Sequence, residues 1–250
     1  MTPNIPYLGP SRAHKLDLYE PRRSDIGPRP AIVIIHGGGW TVGDKQSTRE
    51  AQMADLLSAA GFVCISINYQ MIENDKPAWP TYLDDAREAV RFLRRNAEKY
   101  RVDPDRIGAI GGSAGGNIAL MLGLKVPGEV PANVQAIVAL YAPTDMSWND
   151  TESTLLFGCT EEALPTIAAK ASPLVQATAD FPPTFLIHGT NDTIVSLEHS
   201  ENMAARLTEL GVTHKLKIIE GAPHSFKLRD HNASVRDAVV SFFDKHLTAR

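Results

Sequence analysis

Ala31-Ile32-Val33-Ile34-Ile35 is an unbroken apolar run dominated by β-branched residues. A strand with one wet face alternates polar and apolar positions. A run that is apolar throughout belongs to a strand covered on both faces, as in a parallel sheet. The pattern returns along the chain. Phe62 to Ile67, Val134 to Tyr141, Thr184 to His188 and Lys215 to Ile219 read as further strands, and Ile107 to Ile110 lead into a glycine-rich turn. Stretches of helical composition lie between them: Thr48 to Ala60, stopped by Gly61; Thr81 to Tyr100, with Thr81 and Asp84 placed for a capping box; Ser196 to Leu210; and Ala233 to Leu247. Residues 13–19 alternate and predict an early, half-exposed strand. Strands alternating with helices predict an α/β fold, a mostly parallel central sheet with helices on both faces.

The 250 residues, 43% of them hydrophobic, are enough for one sizeable core, and a single domain over 1–250 is expected. Net charge is −4 with no block of like charge, which gives nucleic-acid binding no electrostatic support. No apolar run approaches the roughly 18 residues needed to cross a bilayer, so no membrane association is expected. Met1 to Pro6 lack the basic start and apolar core of a signal peptide. A native N-terminus here would make the chain cytoplasmic, and a trimmed leader would make it secreted. The two cysteines form no disulfide framework, and Cys64, inside Phe62-Val63-Cys64-Ile65, reads as a small buried hydrophobe.

The chemistry gathers at strand ends, where parallel sheets place their ligands. Gly111-x-Ser113-x-Gly115 sits between apolar strand formers and an alanine- and leucine-rich helical run. That is the setting of a nucleophile elbow: a turn so sharp that glycines two residues either side must let strand and helix pass, with the serine hydroxyl lifted off the sheet. Serine attack on a carbonyl needs a base and a group that orients the base. Of eight histidines, His224 alone follows the last strand in a Gly/Pro loop, whereas His36 and His188 close strands before glycine turns and read as shaping those turns. Asp192 follows the preceding strand, and the order Ser113, Asp192, His224 is that of a hydrolase triad; Asp145 is the rival acid. His36-Gly37-Gly38-Gly39 can turn its amides inward, so Gly38 and Gly39, with the amide of Ala114, are the expected oxyanion donors. Trp40, Tyr141 and Trp148 are candidates for the substrate wall. Residues 142–180 hold no strong strand and several breakers, and a connection of that length is expected to be a short lid or binding insertion.

With these residues in place, the chain resembles the α/β-hydrolase esterases of the hormone-sensitive-lipase-like group that carry an HGGG turn. It is most similar to the compact bifunctional feruloyl and acetyl-xylan esterase-like (BD-FAE-like) members. The matching segments are Lys15-Leu16-Asp17-Leu18-Tyr19, His36-Gly37-Gly38-Gly39-Trp40, Gly43-Asp44-Lys45, Asn68-Tyr69, Asp84-Asp85-Ala86, Gly112-Ser113-Ala114-Gly115-Gly116, His188-Gly189-Thr190-Asn191-Asp192 and His224-Ser225-Phe226. The resemblance implies a Ser113–Asp192–His224 triad, an oxyanion hole from Gly38, Gly39 and Ala114, no cofactor and no metal. It implies short-acyl or aryl ester substrates, small or borne on acetylated or feruloylated polysaccharide, and some relatives act on synthetic polyesters. Two departures stand out. Many of the group carry Asp before the nucleophile, where this chain has Gly112, and they carry a long N-terminal cap, where only about a dozen residues precede the first strand expected here. A fairly open site follows. The rival readings are an arylformamidase-type amide hydrolase and, from another class, a non-catalytic ligand-binding protein on the same scaffold.

Overall fold

The computed structural model describes residues 1–10, 12–21, 27–147, 151–226 and 233–248. Among these the sheet has eight strands: β1 (Thr2–Pro6), β2 (Lys15–Tyr19), β3 (Arg29–Ile35), β4 (Val63–Ile67), β5 (Val102–Gly112), β6 (Ala136–Leu140), β7 (Thr184–Asn191) and β8 (His214–Pro223). They are ordered β1-β2-β4-β3-β5-β6-β7-β8, with β1 and β2 antiparallel and the rest parallel. The helices are α1 (Thr48–Ala59), α2 (Thr81–Arg95), α3 (Ala97–Tyr100), α4 (Ala114–Met121), α5 (Thr151–Phe157), α6 (Leu164–Ala171), α7 (Pro173–Gln176), α8 (Glu198–Glu209) and α9 (Ala233–Leu247). No helix among the described residues is long and apolar enough to cross a membrane.

The continuous apolar runs serve two cores. Along β3, Ala31, Val33 and Ile35 join the cluster beneath α2, α4 and α8, while Ile32 and Ile34 join the one beneath α1 and α9. A polar residue at any of these positions would be buried on one side or the other, which is why the run has none.

Several sequence expectations need correction. The first strand is β1, ahead of the one expected after about a dozen residues; it forms at the sheet edge, where the missing N–H groups of Pro3 and Pro6 are tolerated. The early strand β2 is not half-exposed, since Leu16 to Tyr19 are all buried, Asp17 included. Asp17 is held by Lys45 Nζ at 2.8 Å, Asn4 N at 2.7 Å and Gln46 Nε2 at 2.8 Å. The helix expected over 81–100 breaks at Asn96, whose Nδ2 donates to the Phe92 carbonyl at 2.8 Å and bends the chain into α3. Thr81 and Asp84 form no capping box. Pro80 is the N-cap, and the amides of Tyr82, Leu83 and Asp84 donate to the carbonyls of Ala78 and Pro80 instead. Within 142–180, where no strong strand was expected, the breakers bound helices, with Pro165 and Pro173 in the first turns of α6 and α7 and Gly158 just after α5.

Candidate active site

The elbow follows from register and from lack of room. Ile35 lies beside Gly111 and Gly112 beside Leu140, so β3, β5 and β6 end at one level. Ser113 sits at φ 56°, ψ −125°, and its amide donates to the Leu140 carbonyl at 2.9 Å. A Cβ on Gly111 would lie 2.2 Å from the Gly115 carbonyl oxygen, and one on Gly115 would lie 2.2 Å from that of Ile35. Strand and helix can meet this closely only where neither residue has a side chain. Positive φ also marks Trp40 (58°), Tyr141 (38°) and Ser225 (61°), in the turns after β3, β6 and β8. Left-handed backbone is costly for such residues and gathers where surrounding structure enforces a functional geometry.

The last two strands deliver the other two groups. Beyond a register shift after Gly189, Asn191 pairs with Pro223, which sets Asp192 beside His224. His224 Nδ1 lies 2.7 Å from Asp192 Oδ2, and His224 Nε2 lies 3.0 Å from Ser113 Oγ. A carboxylate only accepts, so Nδ1 carries the proton and Nε2 accepts from the Ser113 hydroxyl. Asp192 Oδ1 accepts from the amides of Ile194 and Val195, at 3.0 and 2.9 Å. Burial alone would raise the Asp192 pKa, but the bonds from His224 and these amides outweigh it and hold the carboxyl below its usual range. The arrangement can move a proton from the hydroxyl to the imidazole and balance the resulting imidazolium with a fixed carboxylate.

Ala114 is the first residue of α4, where a helix amide has no partner within its helix. Gly38 and Gly39 follow β3 with φ of 118° and 59°, and among the described residues their amides donate no hydrogen bond. The Gly38 carbonyl instead accepts from Thr41 and Val42, both at 3.0 Å, which closes the turn from the other side. Beyond the turn, the Lys45 amide donates to Asn68 Oδ1 at 2.6 Å and the Lys45 carbonyl accepts from Ser66 Oγ at 2.8 Å.

The remaining expectations fare differently. Asp145, the rival acid, accepts from the Ser147 amide at 3.0 Å, and its own amide lies 3.4 Å from His199 Nδ1; among the described residues it makes no contact with His224. Trp40 and Tyr141, expected on the substrate wall, are both buried. Trp40 packs on Tyr82 with ring centroids 5.7 Å apart. Tyr141 meets the His224 ring edge-on at 4.9 Å, and its hydroxyl accepts from Arg49 Nη1 at 2.8 Å. Tyr141 therefore backs the imidazole instead of facing a ligand. Trp148 lies outside the described residues. His36 stacks on Tyr69 at 4.3 Å with Nδ1 2.8 Å from the Gly37 carbonyl, in keeping with a turn-shaping role. Arg49 went unseen in the sequence, and His188 was read only as shaping its turn. Nothing distinguishes Arg49 from any helix-surface arginine, whereas His188, inside β7 and four residues before Asp192, had a spacing that could have drawn notice.

A serine elbow, a histidine loop and a carboxylate turn at the carboxyl ends of a mostly parallel sheet define the α/β-hydrolase fold. A truncated carbohydrate esterase from gut microbiota shares it with a TM-score of 0.87 and 27% identity, covering 98% of this chain and 95% of that one. The propionate-bound form of the thermophilic esterase Est2 of Thermogutta terrifontis gives a TM-score of 0.81 and 27% identity, over 98% and 94%. Within that class the chain belongs to the BD-FAE family, whose model matches residues 16–207. It is similar to Esterase LipQ of Mycobacterium tuberculosis, 29% identical over 96% of this chain and 60% of LipQ. The chain thus spans between 52% and 60% of the length of the first curated relatives it matches.

Proposed function

We propose that this chain is a serine carboxylic-ester hydrolase acting on short-acyl or aryl esters, small or polymer-borne. The observation that carries the reading is the hydrogen-bonded line from Ser113 Oγ through His224 to Asp192, at 3.0 and 2.7 Å, with the serine held at positive φ. Ser113 attacks the ester carbonyl as His224 Nε2 takes its proton. The tetrahedral oxyanion is met by the amides of Gly38, Gly39 and Ala114, each such donor worth on the order of 3 kcal/mol in comparable sites. His224 then protonates the departing alcohol, and water, activated by the same imidazole, releases the acyl group. Asp192 stays ionised throughout and stabilises the imidazolium.

The choice of esters rests on relatives. The structural neighbour named a carbohydrate esterase supports sugar-borne acyl groups, and propionate bound to Est2 supports short chains. Ser113 and His224 are half-buried, not sealed, which suits a bulky alcohol moiety. Residues 142–180 would wall one side, fixed by Asn117 of α4, whose Nδ2 donates to the carbonyls of Pro143 and Ala171 at 3.0 and 3.2 Å.

The test is a panel of initial rates on p-nitrophenyl acetate, butyrate, octanoate and laurate, methyl ferulate and N-formylkynurenine, with Ser113→Ala as control. Short and aryl esters should turn over fastest, and the mutant should lose all of it. Turnover of N-formylkynurenine with little ester cleavage would replace the esterase with an amide hydrolase. Silence on the whole panel, with no fluorophosphonate labelling of Ser113, would leave a ligand-binding scaffold.

A further inference from the structure

Asp192 is gripped by two histidines, and the mechanism above uses one. The His188 side chain is fully buried within β7, with Nε2 2.9 Å from the Val195 carbonyl oxygen and 3.2 Å from Asp192 Oδ2. Its Nδ1 lies 2.7 Å from the hydroxyl of Ser200, in the first turn of α8. These partners fix the proton. The Val195 carbonyl and the Asp192 carboxylate can only accept, so Nε2 must carry a hydrogen. Burial keeps the ring neutral by lowering its pKa, so Nδ1 is a bare lone pair and Ser200 donates to it. No other tautomer leaves both sides of the ring satisfied.

The consequence falls on Asp192. Oδ1 is held by the amides of Ile194 and Val195, while Oδ2, the oxygen that receives His224 Nδ1, also faces His188 Nε2–H. Without His188, Oδ2 would keep His224 as its one partner among the described residues, and the carboxylate would be free to turn about its Cβ–Cγ bond as far as the two amides on Oδ1 allow. We propose that His188, with its tautomer set by Ser200, is a positioning residue that locks the Asp192 carboxylate in the orientation His224 requires, extending the proton line to Ser200–His188–Asp192–His224–Ser113. The proposal rests on the serine-hydrolase reading given above. His188 touches no reacting atom and acts through Asp192 alone.

The experiment compares His188→Leu, His188→Gln and Ser200→Ala in the full chain on p-nitrophenyl acetate, with thermal midpoints measured in parallel. A misplaced orienting group should lower kcat about 10- to 100-fold in His188→Leu while KM moves less than about twofold. Glutamine can return an N–H to the Nε2 position, so His188→Gln should recover most of kcat. Ser200→Ala frees the tautomer and should show a smaller fall. Wild-type kcat in folded His188→Leu and Ser200→Ala would overturn the proposal, as would equal losses in the leucine and glutamine variants. A second readout needs no turnover. Nitrogen-15 spectra of the wild type, with His188 assigned by its loss in His188→Gln, should show a neutral ring protonated at Nε2. A ring protonated at Nδ1, or at both nitrogens at neutral pH, would overturn it even in a protein that cleaves no ester. Silence of wild type and Ser113→Ala alike on esters would instead sink the hydrolase reading and leave the tautomer result standing.

Discussion

The ring of Tyr141 fills the space that a side chain at position 112 would need. A Cβ built on Gly112 would lie 2.7 Å from Tyr141 Oη and 2.8 Å from its Cε2. Tyr141 is closely held there. It is fully buried, bonded to Arg49, and its hydroxyl lies 3.4 Å from the Phe226 carbonyl oxygen, two residues past His224. The residue before the nucleophile and the ring behind the base are therefore one packing decision, which explains why this chain lacks the aspartate that many of its wider group carry there.

Gly112→Ala should accordingly disturb the base more than the nucleophile. The methyl group pushes Tyr141 against His224, and overpacking of this kind costs about 1–3 kcal/mol. A shift of the imidazole by even part of an ångström should lower kcat about 10- to 100-fold. Steady-state kinetics and a urea unfolding curve on the same preparation check it; wild-type rates would mean the ring yields without moving His224.

An ion pair lies deep in the protein a few residues beyond the glycine turn. Lys45 and Asp17 side chains are 4% and 0% exposed, with Nζ 2.8 Å from Oδ1. Lys45→Met leaves the Asp17 charge buried with two neutral donors and no cation. Breaking such a pair from one side typically costs about 3–5 kcal/mol. The double variant Asp17→Leu, Lys45→Met should regain much of that, since both charges are gone. Chemical denaturation of the two proteins decides it, and equal stabilities would show that Asn4 and Gln46 alone satisfy the carboxylate.

How the chain could be read in advance depends on which interactions are local. Strand cores, the elbow and the order Ser113, Asp192, His224 were legible because each is written into a few adjacent residues, and parallel topology then brings strand ends together. The contact of Tyr141 with His224 was not foreseen, because an aromatic at a strand end looks the same whether it faces a ligand or the back of an imidazole. Only the positive φ of Tyr141 and the position of Arg49, 92 residues away in sequence, decide that. The break at Asn96 was hidden by an apolar spacing that continues through both α2 and α3, because α3 packs Tyr100 into the same core. β1 was missed because its proline content is a penalty in a central strand and harmless at an edge.

Asn117 ties the nucleophile helix to the 142–180 segment through two carbonyls, and its own Oδ1 has no partner among the described residues. Asn117→Leu should strand the Pro143 and Ala171 carbonyls at about 1–3 kcal/mol each if both stay dry. The wall it holds should loosen more than the elbow, so KM for bulky esters should rise while fluorophosphonate labelling of Ser113 stays close to the wild-type rate. A labelling rate that collapses with KM would place the damage in the elbow itself.

Acidification should destabilise the fold from near neutrality, because three histidines are held neutral inside it. Burial lowers the pKa of His36, His188 and His199 below the ordinary 6.5. Each also has geometry that a second proton would spoil. His36 Nε2 is buried without a partner among the described residues, His188 Nδ1 accepts from Ser200, and His199 Nδ1 faces the amides of Thr144 and Asp145 at 3.2 and 3.4 Å. The folded pKa values lie below the unfolded one, so below about pH 6.5 the unfolded chain binds more protons, and stability falls with pH by up to about 1.4 kcal/mol per unit for each histidine. Glu50 and Asp85 oppose this at lower pH, since burial raises their pKa values and folding then favours the protonated carboxyls. Asp192 works the other way from them, but its lowered pKa confines its contribution to pH near or below its ordinary 3.8. Thermal midpoints measured from about pH 8 down to about 5.5 should therefore be level at first and decline from about 6.5 onward. The decline should be shallower in His199→Asn, which has one buried imidazole fewer to charge. A midpoint that stays level to the acid end would mean that these rings accept protons in the folded state as readily as in the unfolded one.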